Sequence, residues 1–161
     1  LLRTSYLWEH IRMKGGAYGA SAGNDGMSGL FTFSSYRDPR ISATLEVYRA
    51  ALAHFAASPV EARELLLAKI GSVAKEIRPL VPGEAGLVSF RRWLYGINDG
   101  LRQEKRDDLL AATPADLAKA AKTILAGWEK SYSALIAGPD MVDKEEEASR
   151  HFRPVRKPLS V

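Results

Sequence analysis

The sequence predicts an α+β fold in which helices cover an antiparallel sheet. A turn signal, Asn24-Asp25-Gly26, separates two short segments with the composition of strands, which is typical of a β-hairpin. After the hairpin, four segments repeat apolar residues at spacings of three and four, the pattern of helices with one apolar face. Residues 131–137 (SYSALIA) predict a third strand beside the hairpin. Because three strands make a small sheet, we expect further strands outside this sequence.

Composition narrows the possible functions. The 161 residues are 46% hydrophobic and 26% charged, as in one ordinary globular domain. No apolar run approaches the roughly 20 residues of a membrane-spanning helix, so no membrane partner is predicted. The net charge is +4, but basic and acidic residues are mixed along the chain, which predicts no nucleic-acid partner. The absence of cysteine excludes disulfides and cysteine-ligated metal sites.

The first helix is predicted from Leu1 to about Lys14. Gly15-Gly16 follows it, and one of these glycines is expected to adopt the left-handed conformation that ends many helices. The next strand, predicted at 17–23, consists of very small residues apart from Tyr18. Such a strand packs weakly but lets another backbone or a ligand approach closely. Its aromatic partner strand is predicted at 29–36.

The remaining chain is predicted to be mainly helical. One helix is expected at 41–57, and another continuous helix from 84 past 101. Two sequences resemble capping boxes and predict helix starts, at Ser58-Pro-Val-Glu61 and at Thr113-Pro-Ala-Asp116. Residues 1–139 are expected to form most of one domain, and 140–161 a short helix with an extended tail. Because the chain opens at Leu1, we expect an N-terminal part of the domain to be missing.

Several kinds of chemistry have no support in the sequence. The three histidines, His10, His54 and His151, form neither HExxH nor HxxEH, so no metal site is predicted in this chain. No cysteine or GxSxG motif offers an activated nucleophile. The glycine-rich stretch follows a helix, whereas a phosphate loop follows a strand and opens a helix.

Arg12 and Tyr18 remain as candidate functional residues. Arg12 lies in the last predicted helical turn and Tyr18 early in the next strand, so a reversal at Gly15-Gly16 would bring both side chains toward one place. A guanidinium and a phenol are suitable donors for a carbonyl oxygen that gains negative charge during acyl transfer. The alternative is purely structural: Arg12 would interact with the helix dipole and Tyr18 would pack. The residues alone leave both interpretations open.

Two segments carry a family resemblance. Residues 6–19 (YLWEHIRMKGGAYG) and 35–39 (SYRDP) resemble the C-terminal portion of the presequence protease branch of the pitrilysin and insulin-degrading metallopeptidases. The resemblance extends over most of the chain and is most specific between Arg12 and Tyr18. It implies an α+β domain from a zinc peptidase built as two halves around a chamber.

The resemblance also implies roles for the residues of this chain. Zinc would be bound by an HxxEH motif in an N-terminal half that this sequence lacks, so this chain alone is expected to be inactive. Arg12 and Tyr18 would hydrogen-bond the backbone of a peptide substrate near the scissile bond. Further substrate contacts would come from Gly15, Gly16, Ala17 and Gly19. The expected partners are an unstructured peptide and the zinc-bearing half, in an organelle matrix or the bacterial cytoplasm.

A noncatalytic alternative with the same fold stays open. Regulatory subunits of processing peptidases and core subunits of respiratory complexes keep this fold without the chemistry. Retention of both Arg12 and Tyr18 favours an active parent enzyme, because a purely structural relative would not require the pair.

Overall fold

The β-hairpin is the only sheet among the residues that the computed structural model describes, which are 1–26, 28–148, 152 and 154–157. Strand β1 (Gly19–Asp25) pairs antiparallel with β2 (Leu30–Tyr36), from Gly19 opposite Tyr36 to Asp25 opposite Leu30. The six α-helices of the described chain are α1 Ser42–Ala57, α2 Ala62–Glu76, α3 Pro82–Leu94, α4 Asp99–Ala111, α5 Pro114–Ala126 and α6 Pro139–Ala148. The predicted α+β class and the predicted hairpin are confirmed.

The helix before the hairpin is of the π type. It spans Trp8–Met13, which is shorter than predicted, and is called the junction helix below. The Lys14 N–H donates to the Glu9 carbonyl, five residues back, at 2.9 Å. Single π turns are rare and frequently occur at functional sites. The extra residue in each hydrogen-bonded ring changes how the helix ends, as described below.

The chain divides into two compact units. One contains Leu2–His54 and Lys122–Val161, and the other contains Leu1 and Phe55–Ala121. In the first unit, the junction helix contributes Leu7 and Ile11 to the core, both fully buried. They belong to one apolar cluster with the buried residues Ala17, Tyr48 and Ala51.

Helix α1 covers the hairpin within this first unit. The Tyr48 ring stacks on the ring of Phe33 in β2, with centroids 4.7 Å apart and planes inclined by 16°. Phe33 also meets Trp128 edge-on, with ring centroids 6.5 Å apart. The first contact packs β2 against α1, and the second packs it against the turn that follows α5. β2 in turn holds β1 and the residues that precede it.

Two helix boundaries in the second unit differ from the prediction. Helix α2 begins at Ala62, and its N-cap Glu61 makes no capping side-chain bond, so the predicted box at Ser58–Glu61 is wrong. The chain stays extended there and buries Val60, which is 8% exposed. The predicted continuous helix past residue 101 is broken at Gly96, which has φ +65°, and Asn98 caps α4 by accepting from the Leu101 N–H at 2.9 Å.

The predicted third strand is also wrong. Residues 131–138 have no regular secondary structure, and Tyr132 and Ile136 are 99% and 84% exposed. A strand needs a neighbouring strand edge to satisfy its backbone, and strand-like composition does not supply one. Helix α6 follows this segment. Most of the predicted extended tail, residues 149–151, 153 and 158–161, lies outside the described residues, so the boundary at 139 stays a prediction.

None of the described helices is both long and apolar enough to span a bilayer.

Candidate functional site

The reversal between the junction helix and β1, called the glycine corner (Gly15-Gly16), is built from backbone hydrogen bonds. The Gly16 N–H donates to the Arg12 carbonyl at 3.0 Å, and the Ala17 N–H donates to the Ile11 carbonyl at 3.1 Å. This resembles a Schellman motif widened by one residue, as expected after a π turn. Gly16 has φ +79°, so the predicted left-handed end of the helix is confirmed.

Gly15 is required for a different reason, which is space. A Cβ atom at this position would lie 1.9 Å from Nη2 of Arg40 and 2.2 Å from the Ile11 carbonyl oxygen. The same Nη2 donates to the His10 carbonyl at 3.0 Å. The guanidinium of Arg40 therefore fills the recess that Gly15 leaves and places positive charge at the C-terminal end of the junction helix, where it is favoured.

Arg12 lies in the last turn of the junction helix with an exposed side chain, and it forms no ion pair with a described residue. The neighbouring cation, Lys14, is paired with Glu9 at 2.5 Å. The hydrogen bond from Lys14, together with its charge, lowers the pKa of Glu9 below its ordinary value. Since the Arg12 carbonyl is held by Gly16, the residue has a fixed backbone and a guanidinium open to a ligand.

Tyr18 lies immediately before β1. Its N–H donates to the carbonyls of Tyr36, at 3.1 Å, and Arg37, at 3.3 Å. The side chain is 66% exposed, and its ring meets the Tyr36 ring edge-on with centroids 6.1 Å apart. Tyr18, like Arg12, therefore combines an anchored backbone with an accessible side chain. The convergence of the two side chains on one substrate stays a prediction.

The four predicted backbone contacts lie in different surroundings. Gly15 and Ala17 are buried, Gly16 is exposed, and Gly19 is half-buried. A Cβ on Gly19 would meet no atom within 4 Å, so nothing in the described protein requires glycine there. Open space above a strand is what the approach of another backbone needs. A substrate role for these residues stays a prediction.

A second turn, called the arginine corner (residues 37–40), follows β2 at the same end of the hairpin as the glycine corner, where Gly19 lies opposite Tyr36. Arg37 has φ +48°. Asp38 accepts hydrogen bonds from the Arg40 N–H at 3.0 Å and from the hydroxyl of the buried Thr44 at 2.7 Å. The sequence predicts the end of the aromatic strand at residue 36 but not the link between the following turn and the glycine corner. The Asp38-Pro39 pair is a local signal for a turn stabilised by the Asp side chain, but it does not indicate the contact between Arg40 and Gly15.

The described residues offer no set of side chains that fits zinc. No group of three or more histidine and acidic residues within 1–26 and 28–148 is placed to hold a metal ion. His10 stacks on Tyr6, with ring centroids 4.1 Å apart, and donates from Nδ1 to the Tyr6 carbonyl at 2.9 Å. His54 contacts the same ring at 5.2 Å. His151 lies outside the described residues.

Comparison with known proteins gives a consistent result. The family profile described as PreP C-terminal domain matches residues 1–137. Presequence protease 1, chloroplastic/mitochondrial, of Arabidopsis thaliana is 30% identical over 158 residues, covering 98% of this chain and 15% of that protein. The mitochondrial presequence protease of Emericella nidulans is 36% identical over 146 residues, covering 90% of this chain and 14% of that protein. The mitochondrial presequence protease of Danio rerio is 33% identical over 140 residues, covering 87% of this chain and 13% of that protein.

Proposed function

Because this chain belongs to the family of PreP C-terminal domains, we propose that it is the substrate-binding C-terminal part of a zinc metalloendopeptidase that degrades unstructured peptides. The chain spans about one seventh of the length of the relatives that it matches. The proposed activity is therefore an activity of the complete protein. The names of these relatives give chloroplastic and mitochondrial locations. They support our proposal that the complete protein acts in an organelle matrix, for which the bacterial cytoplasm is the alternative.

The observation that carries the proposal is the arrangement of Arg12 and Tyr18 around the glycine corner. Both residues have backbones held by hydrogen bonds of 3.0 to 3.3 Å, and both side chains are exposed. Donors that are held in place before the reaction stabilise developing charge without the cost of reorganisation. We assign Arg12 the part of a cation near the scissile carbonyl oxygen. Tyr18 would donate its phenolic proton to the same oxygen or to the neighbouring substrate backbone.

The metal belongs to another part of the complete protein in this proposal. Zinc bound there supplies a Lewis acid and an activated water. The residues of this chain bind the peptide and orient its carbonyl group. β1 has an unpaired edge in the two-stranded sheet of the described residues, so an extended peptide could bind to its backbone there.

The test is the steady-state cleavage of an unstructured peptide by the complete protein, with Arg12→Ala and Tyr18→Phe measured separately. Removing one such donor typically lowers kcat by about a hundredfold or more. Arg63→Ala and Tyr132→Phe are matched controls, because both side chains are exposed and lie far from the glycine corner in sequence. Their kinetics should equal those of the unmodified protein.

Unchanged kcat and KM in both variants would refute the assignment. A rise in KM at constant kcat would leave these residues a role in binding without one in the transition state. A noncatalytic subunit makes a different prediction, since the unmodified complete protein would then cleave no peptide unless a separate zinc-bearing chain were added.

A further inference from the structure

The backbone of Arg37 is unusual within the part of the chain that the structure describes. It is the only described residue other than glycine with a positive φ, at +48°. Side chains with a Cβ are disfavoured in this region, which glycine adopts freely. Residues held in such conformations cluster at functional sites, where neighbouring contacts impose them. The question is what an arginine contributes here that a glycine would not.

The left-handed turn at Arg37 holds the backbone of Tyr18. It brings the carbonyls of Tyr36 and Arg37 together on the Tyr18 N–H, at 3.1 and 3.3 Å. This part of the arrangement uses only main-chain atoms. Glycine at position 37 would provide it equally well.

The Arg37 side chain makes a separate set of contacts. Its Cζ lies 5.9 Å from the centre of the Tyr18 ring and 5.5 Å from the centre of the Tyr36 ring. The two rings meet edge-on, 6.1 Å apart. A guanidinium over aromatic faces is attracted by their negative quadrupole. The three side chains therefore support one another on an otherwise open surface.

We propose that Arg37 is a positioning residue that holds the Tyr18 side chain ready to donate to the substrate. This inference rests on the proposed function of Tyr18. The Tyr18 side chain is 66% exposed, so few other protein atoms limit its rotation. A donor fixed before the substrate binds loses less conformational freedom in the transition state. Arg37 and the ring of Tyr36 supply that restriction.

The substitution Arg37→Gly separates the side chain from the backbone. Glycine accepts φ +48° without strain, so the corner and its hydrogen bonds remain while the guanidinium is lost. If Arg37 only closes the strand, this variant will be at least as stable as the unmodified protein and equally active. If Arg37 positions Tyr18, stability will be kept and kcat will fall.

The experiment measures kcat, KM and the unfolding temperature of the complete protein on one unstructured peptide. We expect Arg37→Gly to lower kcat about three- to tenfold, the range given by losing one cation–π contact and its ordering effect. KM and the unfolding temperature should change little. Arg37→Lys keeps a positive charge but lacks the planar guanidinium group, so its kcat should lie between that of the unmodified protein and that of Arg37→Gly. In a Tyr18→Phe background, Arg37→Gly should cause no further loss.

Two results would overturn the inference. One is an Arg37→Gly protein with unchanged kcat, and the other is an equal loss with and without the Tyr18 hydroxyl, which would show that Arg37 acts independently of it. Tyr18→Phe alone distinguishes a failure of the proposed role of Tyr18 from a failure of the proposed role of Arg37. If that variant keeps full activity, the proposed role of Tyr18 fails and this inference fails with it. If it is impaired while Arg37→Gly is not, only the inference about Arg37 fails.

Discussion

The two corners that flank the open end of the hairpin are built in opposite ways. The glycine corner depends on missing side chains: Gly16 adopts φ +79°, and Gly15 leaves a recess. The arginine corner depends on side chains that are present, because the Asp38 carboxylate accepts hydrogen bonds from the backbone N–H of Arg40 and from the hydroxyl of Thr44. The two meet where the Arg40 guanidinium fills the recess at Gly15.

This difference determines which substitutions each corner can tolerate. The glycine corner has no room for side chains, so any added atom should destabilise it. The arginine corner is held by hydrogen bonds to Asp38, so removal of this acceptor should destabilise it. A change in side-chain volume there should matter less. Since Tyr18 lies between the corners and is anchored to Tyr36 and Arg37, damage to either corner should reach the candidate site.

The largest effect on stability is expected for Gly15→Ala. The new methyl group would lie 1.9 Å from the end of a flexible arginine and 2.2 Å from a backbone oxygen, and the backbone cannot yield as easily. We expect the free energy of unfolding of this chain, measured with urea, to fall by about 3 kcal/mol. Gly16→Ala is the matched control; its nearest neighbour would be 3.5 Å away, and its left-handed φ should cost about 1–2 kcal/mol. A smaller loss at position 15 than at 16 would contradict the steric explanation.

A smaller loss is expected for Asp38→Ala in the arginine corner. Thr44 is 3% exposed, and its hydroxyl donates to Asp38 at 2.7 Å, so the substitution leaves a buried donor without a partner. The free energy of unfolding should fall by about 2 kcal/mol. Asp38→Asn retains a carbonyl acceptor and should lose roughly half as much. Equal losses in the two variants would show that the charge of Asp38 matters more than its hydrogen bonds.

The sequence was most informative where local chemistry decides the structure. The hairpin, the helix end at Gly16 and the capping box at Thr113 all depend on nearby residues. The turn of the hairpin was predicted too early, because Asn24 and Asp25 belong to β1 and pair with Phe31 and Leu30. In the capping box, the Thr113 N–H and hydroxyl donate to Asp116 at 2.8 and 2.7 Å. These bonds lower the pKa of Asp116, as expected for a carboxylate that accepts at a helix N-terminus.

Predictions failed where distant contacts decide the structure. Burial of Val60 overrides the similar capping sequence at Ser58. The apolar stripe of α2 was correctly read as helical, yet Leu66 and Ile70 are each 56% exposed. The link between Arg40 and Gly15 joins residues far apart in the chain, and no local pattern reports it. The glycine corner was therefore predictable as a turn, whereas its partner and the cluster around Arg37 were not.

The smallest effect at neutral pH is expected for Tyr48→Phe, beneath the arginine corner. Tyr48 is 5% exposed, and its hydroxyl has no hydrogen-bond partner among the described residues. Burial raises the pKa of this phenol above its ordinary value of 10.0, with the Ser35 hydroxyl opposing the rise and the Asp38 charge adding to it. Above pH 10 the unfolded chain therefore loses this proton before the folded protein does. The stability that Tyr48 contributes is fully present below pH 10, the pKa of the phenol in the unfolded chain. It is lost as the pH rises through the higher pKa of the phenol in the folded protein.

Replacement by phenylalanine removes both the unpaired hydroxyl and this alkaline loss. Urea unfolding at pH 7 should show a gain of about 1 kcal/mol, and the gain should grow at pH 11. Tyr132→Phe, at a side chain that is 99% exposed, should change neither value. A loss of stability at pH 7 in Tyr48→Phe would mean that the hydroxyl bonds to Ser35 in solution. The hydrogen bonds of the arginine corner would then extend through β2 into the core, and the contrast between the two corners would be greater than the contacts of Asp38 alone indicate.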